Sequence, residues 1–557
     1  MSNKPFVSKI KETEKKSLIF QVLLILSVLY FTLFFFPNIT GARTDDMLQV
    51  FQVDEYAQYP HVIRMLTPGD TFYQTIRNFL IYLHYFYGYI FYFLSAIVIL
   101  PLRLALGSDW TNYTPLIVGF LRQGINVAPA IAAVFLLTYI QTGFRSWLRS
   151  ISLFILMLSI PELVNNNLWW HPDSLGLLLV VLVFFFLERD GLRFGHNFFW
   201  AAVCCGLAIG TKYLGVFFVF AIPLYLVYGL ANQKITWRRL FVLGFSFLGV
   251  MLAAVVISNP LLLLPQERAA LIQYQVLQYQ QTMGGIILKS AGAFMANGQY
   301  PDDFRQNYGD IIFVLITLCA LVIGLLRSGT RLRASLLLAF LLPLVYTVAT
   351  AATQRIHYWI PVMVPLVSCL AFLFPENEPS TIPDTDEPKR FQSLQRVVPW
   401  LVIAIIVTQF FMFLLSDYHI YQSTLTREVS SRSLKFNRQV NTLLDKLPAQ
   451  NKKYVAYRDW HIYFPANDRW RVEMNWELTT GHFIEELDPD LILLEKENIT
   501  LYNSPEAIRD AVNPQDMQSA QKLYQAASTN KLTNYTILYE DSFAVALLRT
   551  TLIKQVQ

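Results

Sequence analysis

Repeated apolar runs of about the length needed to cross a lipid bilayer occur along this chain of 557 residues, and they limit its fold more than any other feature. Hydrophobic residues make up 54% of the sequence, which is more than a soluble domain of this length usually contains. Apolar runs of this length indicate helices that cross the membrane. The sequence therefore predicts an all-α polytopic membrane protein.

The charge and cysteine content exclude several other classes of protein. The net charge of +5 is too small to indicate binding to nucleic acid. The first apolar run, residues 18–36, follows five lysines and lacks a small-residue cleavage site, so we expect a retained span rather than a signal peptide. Neither a disulfide framework nor a zinc site is indicated, because every cysteine lies inside an apolar run: Cys204, Cys205, Cys319 and Cys369.

The distribution of Lys and Arg predicts the orientation in the membrane. Residues 1–17 are lysine-rich and are expected in the cytoplasm, so the chain emerges on the outer side after its first span. Residues 86–106 are apolar enough to cross, but the short Arg-rich loops fall on the inner side only if this segment lies in the interface or re-enters. We therefore expect about eleven spans within residues 18–415, at 18–36, 116–140, 151–168, 174–187, 198–210, 214–230, 240–257, 311–326, 334–352, 360–374 and 397–415. Outer loops are expected at 37–115 and 258–308, with interfacial helices in the first of these loops.

The last part of the chain, residues 416–557, differs in character from the rest. It is large enough for a core of its own, and we expect a small α/β domain outside the membrane. Its last segment, residues 535–548, is expected to form a hairpin that turns near Asp541-Ser542. The patterns predict strands at 454–457, 491–494 and 535–548 and helices at 507–512 and 515–527.

Several polar features gather on the outer side in this topology, whereas the inner loops carry charge without comparable aromatic and acidic clusters. The first feature is the adjacent acidic pair Asp54-Glu55, just beyond the first span. Acidic residues this near a membrane core are costly and are often placed for a function. One-sided clustering suits an active site at a membrane surface better than a path through the bilayer. The other features are Arg122, His171 with Asp173, Lys212, and Arg355 with His357 and Tyr358.

Each of these residues also has a simpler interpretation. Arg122 could snorkel to the interface, Asp173 could cap the helix that it opens, and Lys212 could be an ordinary interfacial lysine. The histidines show no metal-site spacing, so the sequence predicts no metal site. A membrane-interface belt would account for the aromatic residues Trp169, Trp170, Tyr358 and Trp359.

Four motifs occur in an order that is found in one superfamily: Val53-Asp54-Glu55-Tyr56, His171-Pro172-Asp173, a segment at 206–213 that ends in Thr211-Lys212-Tyr213, and Arg355-Ile356-His357-Tyr358-Trp359-Ile360-Pro361. They resemble motifs of the GT-C membrane glycosyltransferases, within them the branch of protein O-mannosyltransferases and the lipid A aminoarabinose transferase. A Pro-Pro segment that these relatives often carry is missing. The segment His84-Tyr85-Phe86-Tyr87-Gly88 stands in its place and leaves the donor contacts there open.

The resemblance implies a GT-C-like catalytic domain in the plasma (inner) membrane. The implied enzyme is an inverting glycosyltransferase that moves a hexosyl or pentosyl group from a polyprenyl-phosphate sugar to a hydroxyl of a protein, lipid or glycan at the outer face. Asp54 would be the general base, and Glu55 would tune or orient it. No cofactor is firmly implied, and a divalent metal stays open. The resemblance assigns substrate binding to Arg122, Lys212 and Arg355 at the phosphate, and to Asp173, His171 and Tyr358 nearby.

Other functions stay open at this point. A transporter or flippase of a lipid-linked sugar would predict an internal repeat and ionisable groups near mid-membrane, and the sequence shows neither. An oligosaccharide polymerase or ligase would differ in its donor. A non-catalytic assembly subunit would leave the outer acidic and basic cluster unexplained. The outer loop at 273–308 could cover the substrate or be passive.

Overall fold

The computed structural model describes residues 4–289, 300–351, 355–374, 389–448 and 453–556. Helices dominate the part that precedes the C-terminal domain. In chain order they are α1 Lys4–Leu33, α2 Phe35–Ile39, α3 Asp45–Phe51, α4 Val53–Leu66, α5 Phe72–Leu80, α6 Tyr89–Leu106, α7 Thr114–Leu121, α8 Ala128–Thr142, α9 Trp147–Leu158, α10 Pro161–Asn166, α11 Asp173–Asp190, α12 His196–Lys212, α13 Ala221–Ala231, α14 Trp237–Ser258, α15 Pro265–Gly284, α16 Tyr300–Tyr308, α17 Ile311–Leu326, α18 Arg331–Thr350, α19 Ile360–Ser368 and α20 Lys389–Ser430.

Within the described ranges, eight helical segments are long and apolar enough to cross a membrane, or nine if the bent pair α16 and α17 forms one span. Seven of the eleven predicted spans coincide with these eight segments, and the predicted span at 311–326 belongs to the bent pair. The architecture is that of a multi-pass helical membrane protein, in agreement with the predicted fold class.

Three predicted spans are shorter or more charged than these eight segments. The span predicted at 151–168 is divided between α9 and α10, α11 ends in charged residues, and α12 has 17 residues. All three nevertheless belong to the bundle, because α11 packs against α8 and α12, and α12 packs against α14. Tertiary packing therefore supports helices whose apolar length alone does not show that they cross.

Of the eight segments, the one that contains α6 coincides with no predicted span. It occupies the region that the charge pattern places in the interface. The N–H of Gly88 donates to the carbonyl oxygen of Thr211 over 3.2 Å, so the start of α6 lies beside the end of α12. The middle of α6 packs against Gly124 through Val98. Helix α6 therefore packs beside the end of α12 and the segment that contains Arg122, and its length and apolar character are those of a span.

The C-terminal domain contains α21 Arg432–Leu444, β1 Tyr454–Arg458, β2 Trp470–Glu473, α22 Gly481–Leu487, β3 Leu491–Glu495, α23 Lys496–Tyr502, α24 Ala507–Asp510, α25 Pro514–Ser528, β4 Tyr535–Glu540, β5 Ala544–Arg549 and α26 Thr550–Ile553. Its sheet has the order β2-β1-β3-β5-β4, with β1 parallel to both β2 and β3 and the remaining pairs antiparallel. Apolar clusters cover both faces of this sheet. The predicted α/β domain is confirmed as a fold, and β2 is a strand that the patterns did not predict.

Helix α20 joins the membrane part to this domain and has 42 residues. It continues through residue 416, which the sequence suggested as the domain boundary, and ends at Ser430. Near its end, Glu428 pairs with Arg43 over 2.6 Å, and Arg427 donates to Thr40. The end of α20 and the segment that follows α2 are therefore bound to each other just before the C-terminal domain begins.

Candidate functional site

The acidic pair opens α4, and its two carboxylates have opposite surroundings. The side chain of Asp54 is exposed, whereas Glu55 is completely buried. Both lie in the first helical turn, where the partial positive charge of the helix N-terminus favours acidic side chains. Neighbouring helical side chains point about 100° apart, so one acid can face the site while the next faces the core.

Glu55 forms a bidentate ion pair with Arg122. The Nε and Nη2 atoms of Arg122 donate to the two carboxylate oxygens over 2.7 and 2.5 Å, and Nη1 donates to the carbonyl oxygens of Asn38 and Thr40 over 2.8 and 3.2 Å. Both side chains are 0% exposed. A contact between Arg122 and a donor phosphate, which the resemblance implied, is therefore not accessible in this structure. Arg122 instead supports the helix that carries Asp54.

Arg122 belongs to a π-helical turn, Arg122–Val127, which also contains Asn126. Such turns often occur at functional sites because they change the direction of side chains within a helix. Asn126 in the same turn donates to the carbonyl oxygen of His171 over 3.0 Å and accepts its N–H over 3.2 Å. The turn thus positions both the acidic pair and the segment that precedes α11.

Trp170 connects these two parts. Its backbone N–H donates to Glu55 over 2.5 Å, and its indole N–H donates to Ser95 over 3.0 Å. A membrane-interface belt would place its aromatic residues toward lipid. Three of the four residues considered for such a belt are instead buried inside the protein: Trp169, Trp170 and Trp359.

His171 is held through both of its ring nitrogens. The Nδ1 atom contacts the carboxylate of Asp173, and Nε2 contacts the hydroxyl of Tyr87 at 2.6 Å. The ring also stacks on Trp169, with 4.1 Å between the ring centroids. Tyr87 and Asn126 were not predicted as site residues. A signal existed for both, since Tyr87 lies in the segment that departs from the related motifs and Asn126 is a polar residue in an apolar run.

Asp173 is the centre of a second charged group. It opens α11 after Pro172, but its carboxylate pairs with Lys212 and His171 and makes no side-chain cap. Lys212 is the last residue of α12 and lies 5.1 Å from the ring centroid of Tyr358. The sequence-predicted residues His171, Asp173, Lys212 and Tyr358 are thus brought together by the ends of two adjacent helices and by the turn that precedes α19.

Asp54 lies within electrostatic range of the same group. Its carboxylate interacts electrostatically with Tyr87, His171 and Tyr358, which belong to three different segments of the chain. Arg355 is exposed and acts electrostatically on His357 and Tyr358, so its guanidinium lies at the rim. An exposed carboxylate, a lysine and an exposed arginine therefore act on one group of side chains, His171, His357 and Tyr358.

Three side chains of this group could hold a metal ion. The ligand atoms of His171, Asp173 and His357 lie within 4.8 Å of one another, and two imidazoles with one carboxylate suit zinc and related divalent ions. To bind an ion, His171 would give up a contact to Tyr87 or Asp173. Lys212 already compensates the carboxylate charge of Asp173.

A cavity of about 420 Å³ adjoins the charged group. It lies between the segment around Tyr87, the end of α12 and the helix α15. The walls approach closely at Gly88, where a Cβ atom would lie 1.5 Å from the carbonyl oxygen of Gly210. The lining is mostly apolar or tyrosine: Tyr82, Tyr85, Tyr87, Gly88, Ile209, Gly210, Thr211, Tyr213, Val255, Asn259, Leu262, Leu271, Ile272, Gln275, Val276 and Tyr279.

Helix α15 closes one side of this cavity and contains part of the outer loop that could cover a substrate. Gln275 donates to the carbonyl oxygen of Tyr85 over 2.6 Å, and the hydroxyl of Tyr85 donates to Glu267 over 2.5 Å. Beyond the helix, Val512 of the C-terminal domain donates to the carbonyl oxygen of Ile287 over 2.9 Å. Part of the loop at 273–308, residues 290–299, lies outside the described residues.

No family model and no curated protein matches the sequence. Two solved structures are similar to the chain over nearly its whole length. ArnT from Cupriavidus metallidurans bound to undecaprenyl phosphate has a TM-score of 0.49 and 12% identity, covering 95% of this chain and 98% of that chain. ArnT from the same organism in the apo state has a TM-score of 0.49 and 13% identity, with coverages of 96% and 98%. Because these similarities are low, the functional assignment depends on the geometry described above.

Proposed function

We propose that this chain is a GT-C-type glycosyltransferase that moves a hexosyl or pentosyl group from a polyprenyl-phosphate donor to a hydroxyl acceptor, with inversion, at the outer face of the plasma (inner) membrane. One observation supports this best: the exposed carboxylate of Asp54 lies within electrostatic range of His171, whose partner Asp173 pairs with Lys212, and a largely apolar cavity adjoins this group. The cavity offers space for isoprenoid units, and the charged group offers a place for phosphate.

Asp54 has the role of general base in this proposal. The acceptor oxygen attacks the anomeric carbon, its proton passes to the Asp54 carboxylate, and the bond from the anomeric carbon to the phosphate oxygen breaks. The polyprenyl phosphate leaves with the electron pair of that bond. A base within hydrogen-bond reach of the acceptor typically contributes 10²- to 10⁴-fold to the rate.

Lys212 and Arg355 are proposed to neutralise the leaving phosphate. Lys212 carries three donors, so its pairing with Asp173 leaves donors for phosphate oxygens. Arg355 presents a planar fork that suits two phosphate oxygens at once. Asp173 and His171 would then position Lys212 and the acceptor, with Tyr358 over the ammonium group. Preorganised positive charge at a developing anion is commonly the largest catalytic contribution.

A divalent ion at His171, Asp173 and His357 is the alternative source of positive charge. Dialysis against EDTA distinguishes the two, with transfer measured before and after. An unchanged rate supports the lysine and arginine, whereas loss of transfer that zinc or manganese restores supports the ion.

The decisive experiment is Asp54→Asn in reconstituted membranes, with transfer measured from a radiolabelled sugar on undecaprenyl phosphate. We choose this lipid as the probe because one of the two similar ArnT structures is bound to undecaprenyl phosphate. Loss of at least 100-fold in kcat is expected. Asp70→Asn is the matched control, since Asp70 is an exposed acid of the same outer segment. Transfer at the wild-type rate by Asp54→Asn contradicts the assignment of the base.

The same vesicles separate transfer from transport. Movement of the intact donor between leaflets, without release of polyprenyl phosphate, would support the transporter in place of the enzyme. For orientation, a cysteine in place of Arg145 in a Cys319→Ser background is expected to react with an impermeant reagent only after the membrane is opened. Labelling of intact cells would reverse the proposed sidedness.

A further inference from the structure

An exposed tryptophan lies on the loop that follows β2. Trp476 is 44% exposed, although most tryptophans of a folded protein are well covered. The loop is held in one conformation by Asn475, whose side chain accepts the N–H of Glu477 over 3.1 Å and donates to the carbonyl oxygen of Leu478 over 3.4 Å. The backbone carbonyl of Asn475 also accepts the indole N–H of Trp460. The ring of Trp476 is therefore presented by a preorganised turn.

Trp476 is the middle member of a row of three aromatic rings. Its centroid lies 5.8 Å from that of Trp460 and 6.0 Å from that of Tyr56, and the interplanar angles are 53° and 35°. Tyr56 belongs to α4 and follows Asp54 by two residues, so the two Cα atoms are only about 5–6 Å apart. The row thus begins on the C-terminal domain and ends within one helical turn of the proposed base.

The two parts of the chain that carry this row are fixed to each other. Arg458, at the end of β1, is 2% exposed and donates to Asp46 of α3 over 2.9 Å. The same guanidinium donates to Gln49 of α3 and to the carbonyl oxygen of Ile462. Because a buried, multiply bonded arginine joins the domain to the segment before α4, the spacing between the rings is set by the fold.

The chemistry of the row suits a pyranose ring. An aromatic face carries partial negative charge, and the C–H groups on one face of a pyranose carry partial positive charge. If the rings only packed the C-terminal domain against α4, both parts would cover them. Trp476 is instead 44% exposed to solvent. The residues that follow the two tryptophans in the sequence, His461 and Glu477, are polar and exposed. The arrangement has both elements of a carbohydrate site, an aromatic face and a polar rim.

We propose that Trp476, together with Trp460 and Tyr56, binds a pyranose ring of the acceptor beside the helical turn that carries Asp54. This inference rests on the proposed function only in identifying the bound sugar as part of the acceptor. Carbohydrate binding at this site does not itself depend on transfer. It assigns to the C-terminal domain a part in substrate binding. It also narrows the acceptor to a molecule that carries sugar.

Saturation-transfer NMR on the full chain in lipid nanodiscs tests the site without requiring transfer. The probes are maltotriose, chitotriose and mannotriose, and detergents with sugar head groups are excluded. Saturation of pyranose C–H protons by the wild-type protein is expected with at least one probe. Trp476→Ala is expected to reduce it at least fivefold, and Trp476→Phe is expected to keep most of it. Absence of saturation with all three probes overturns the proposal.

The matched control is Trp147→Ala. Trp147 is 42% exposed and opens α9, far from α4 along the bundle. It is expected to leave the saturation signal unchanged, and an equal loss in both variants overturns the proposal. Thermal unfolding of each variant shows that the protein is folded, so a lost signal reports the missing ring.

Kinetics distinguish failure of this inference from failure of the proposed function. With a glycan acceptor, Trp476→Ala is expected to raise KM about tenfold with kcat unchanged, whereas Asp54→Asn lowers kcat and keeps the saturation signal. A normal saturation signal in Trp476→Ala with transfer abolished in Asp54→Asn removes the site and leaves the function. Sugar binding that requires Trp476, with full transfer by Asp54→Asn, removes the proposed base and leaves the site.

Discussion

The buried pair between Glu55 and Arg122 permits the most quantitative prediction. We consider the variants Glu55→Gln and Arg122→Met alone and combined. Glutamine keeps an oxygen that can accept the N–H of Trp170, and methionine has an unbranched side chain that fills much of the space of the arginine stem. Each single variant leaves one buried charge without its partner, whereas the double variant leaves none.

The expected magnitude follows from burial and from the number of bonds. Both side chains are 0% exposed and share two charge-assisted hydrogen bonds. Removing one member of such a buried pair typically costs about 3–5 kcal/mol, since the remaining charge loses its compensation. The double variant is expected to lose no more than either single variant. The coupling energy should then be at least about 3 kcal/mol, which is at the top of the range for two residues in contact.

Reversible unfolding in SDS, followed by circular dichroism in mixed micelles, measures these differences. The matched control is Arg43→Met, which breaks the pair with Glu428 at 2.6 Å. Because Arg43 is 74% exposed, its loss should cost only about 0–1 kcal/mol. Additive effects of the two buried substitutions, with a coupling below about 0.5 kcal/mol, would refute the view that Glu55 and Arg122 act as one support under Asp54.

Three further predictions address the phosphate, pH and the wall of the cavity. Lys212→Met should lower kcat at least 100-fold while polyprenyl phosphate still enters, and a radiolabelled transfer assay beside a lipid-binding assay checks this. Burial beside Asp459 raises the pKa of Glu495 from 4.5 to about 7, so the free energy of unfolding decreases as the pH rises from about 4.5 to 7. Glu495→Gln should remove at most about 3 kcal/mol of this decrease, as measured by unfolding at several pH values. Tyr85→Phe deletes the hydrogen bond to Glu267 and should cost about 1 kcal/mol, with faster amide exchange in α15 as the measurement.

The sequence predicted which segments meet at the site. It did not predict that Asp54 is exposed while Glu55 is buried in an ion pair. Adjacent carboxylates look equivalent in a sequence, and Glu55 had no role beyond that of a neighbour to Asp54. The difference arises from the position of Arg122, which is 67 residues away and turned inward by a π-helical turn. No local pattern specifies such a partner, because it depends on how helices pack.

The boundaries of spans show the same limit. Hydrophobic length predicted seven spans directly, whereas the place of α12 in the bundle, with only 17 residues, depends on its packing. Segment 86–106 was ambiguous because it is apolar enough to cross the membrane, whereas the positions of the Arg-rich loops disfavour a crossing there. In α6 the contacts with Thr211 and Gly124 show which segments the helix packs against, which its composition does not.

In the C-terminal domain, alternation and turn residues predicted four of the five strands. The hairpin formed by β4 and β5 turns at Asp541, whose carboxylate accepts the N–H groups of Phe543 and Ala544. Strand β2 alternates apolar and polar residues, Trp, Arg, Val and Glu, but over only four positions, the shortest run that such a pattern can indicate. Its place beside β1 is set by pairing at the edge of the sheet, a non-local contact.

The length of helix α20 sets the distance between the membrane part and the C-terminal domain. At a rise of about 1.5 Å per residue, its 42 residues extend about 63 Å without a described break. Inserting one residue near its outer end would turn the domain by about 100° and move Arg458 away from Asp46, whereas inserting seven would nearly restore the direction at a greater height. Chains with this architecture should therefore change the length of this helix in whole turns, together with a matching change in the first outer segment.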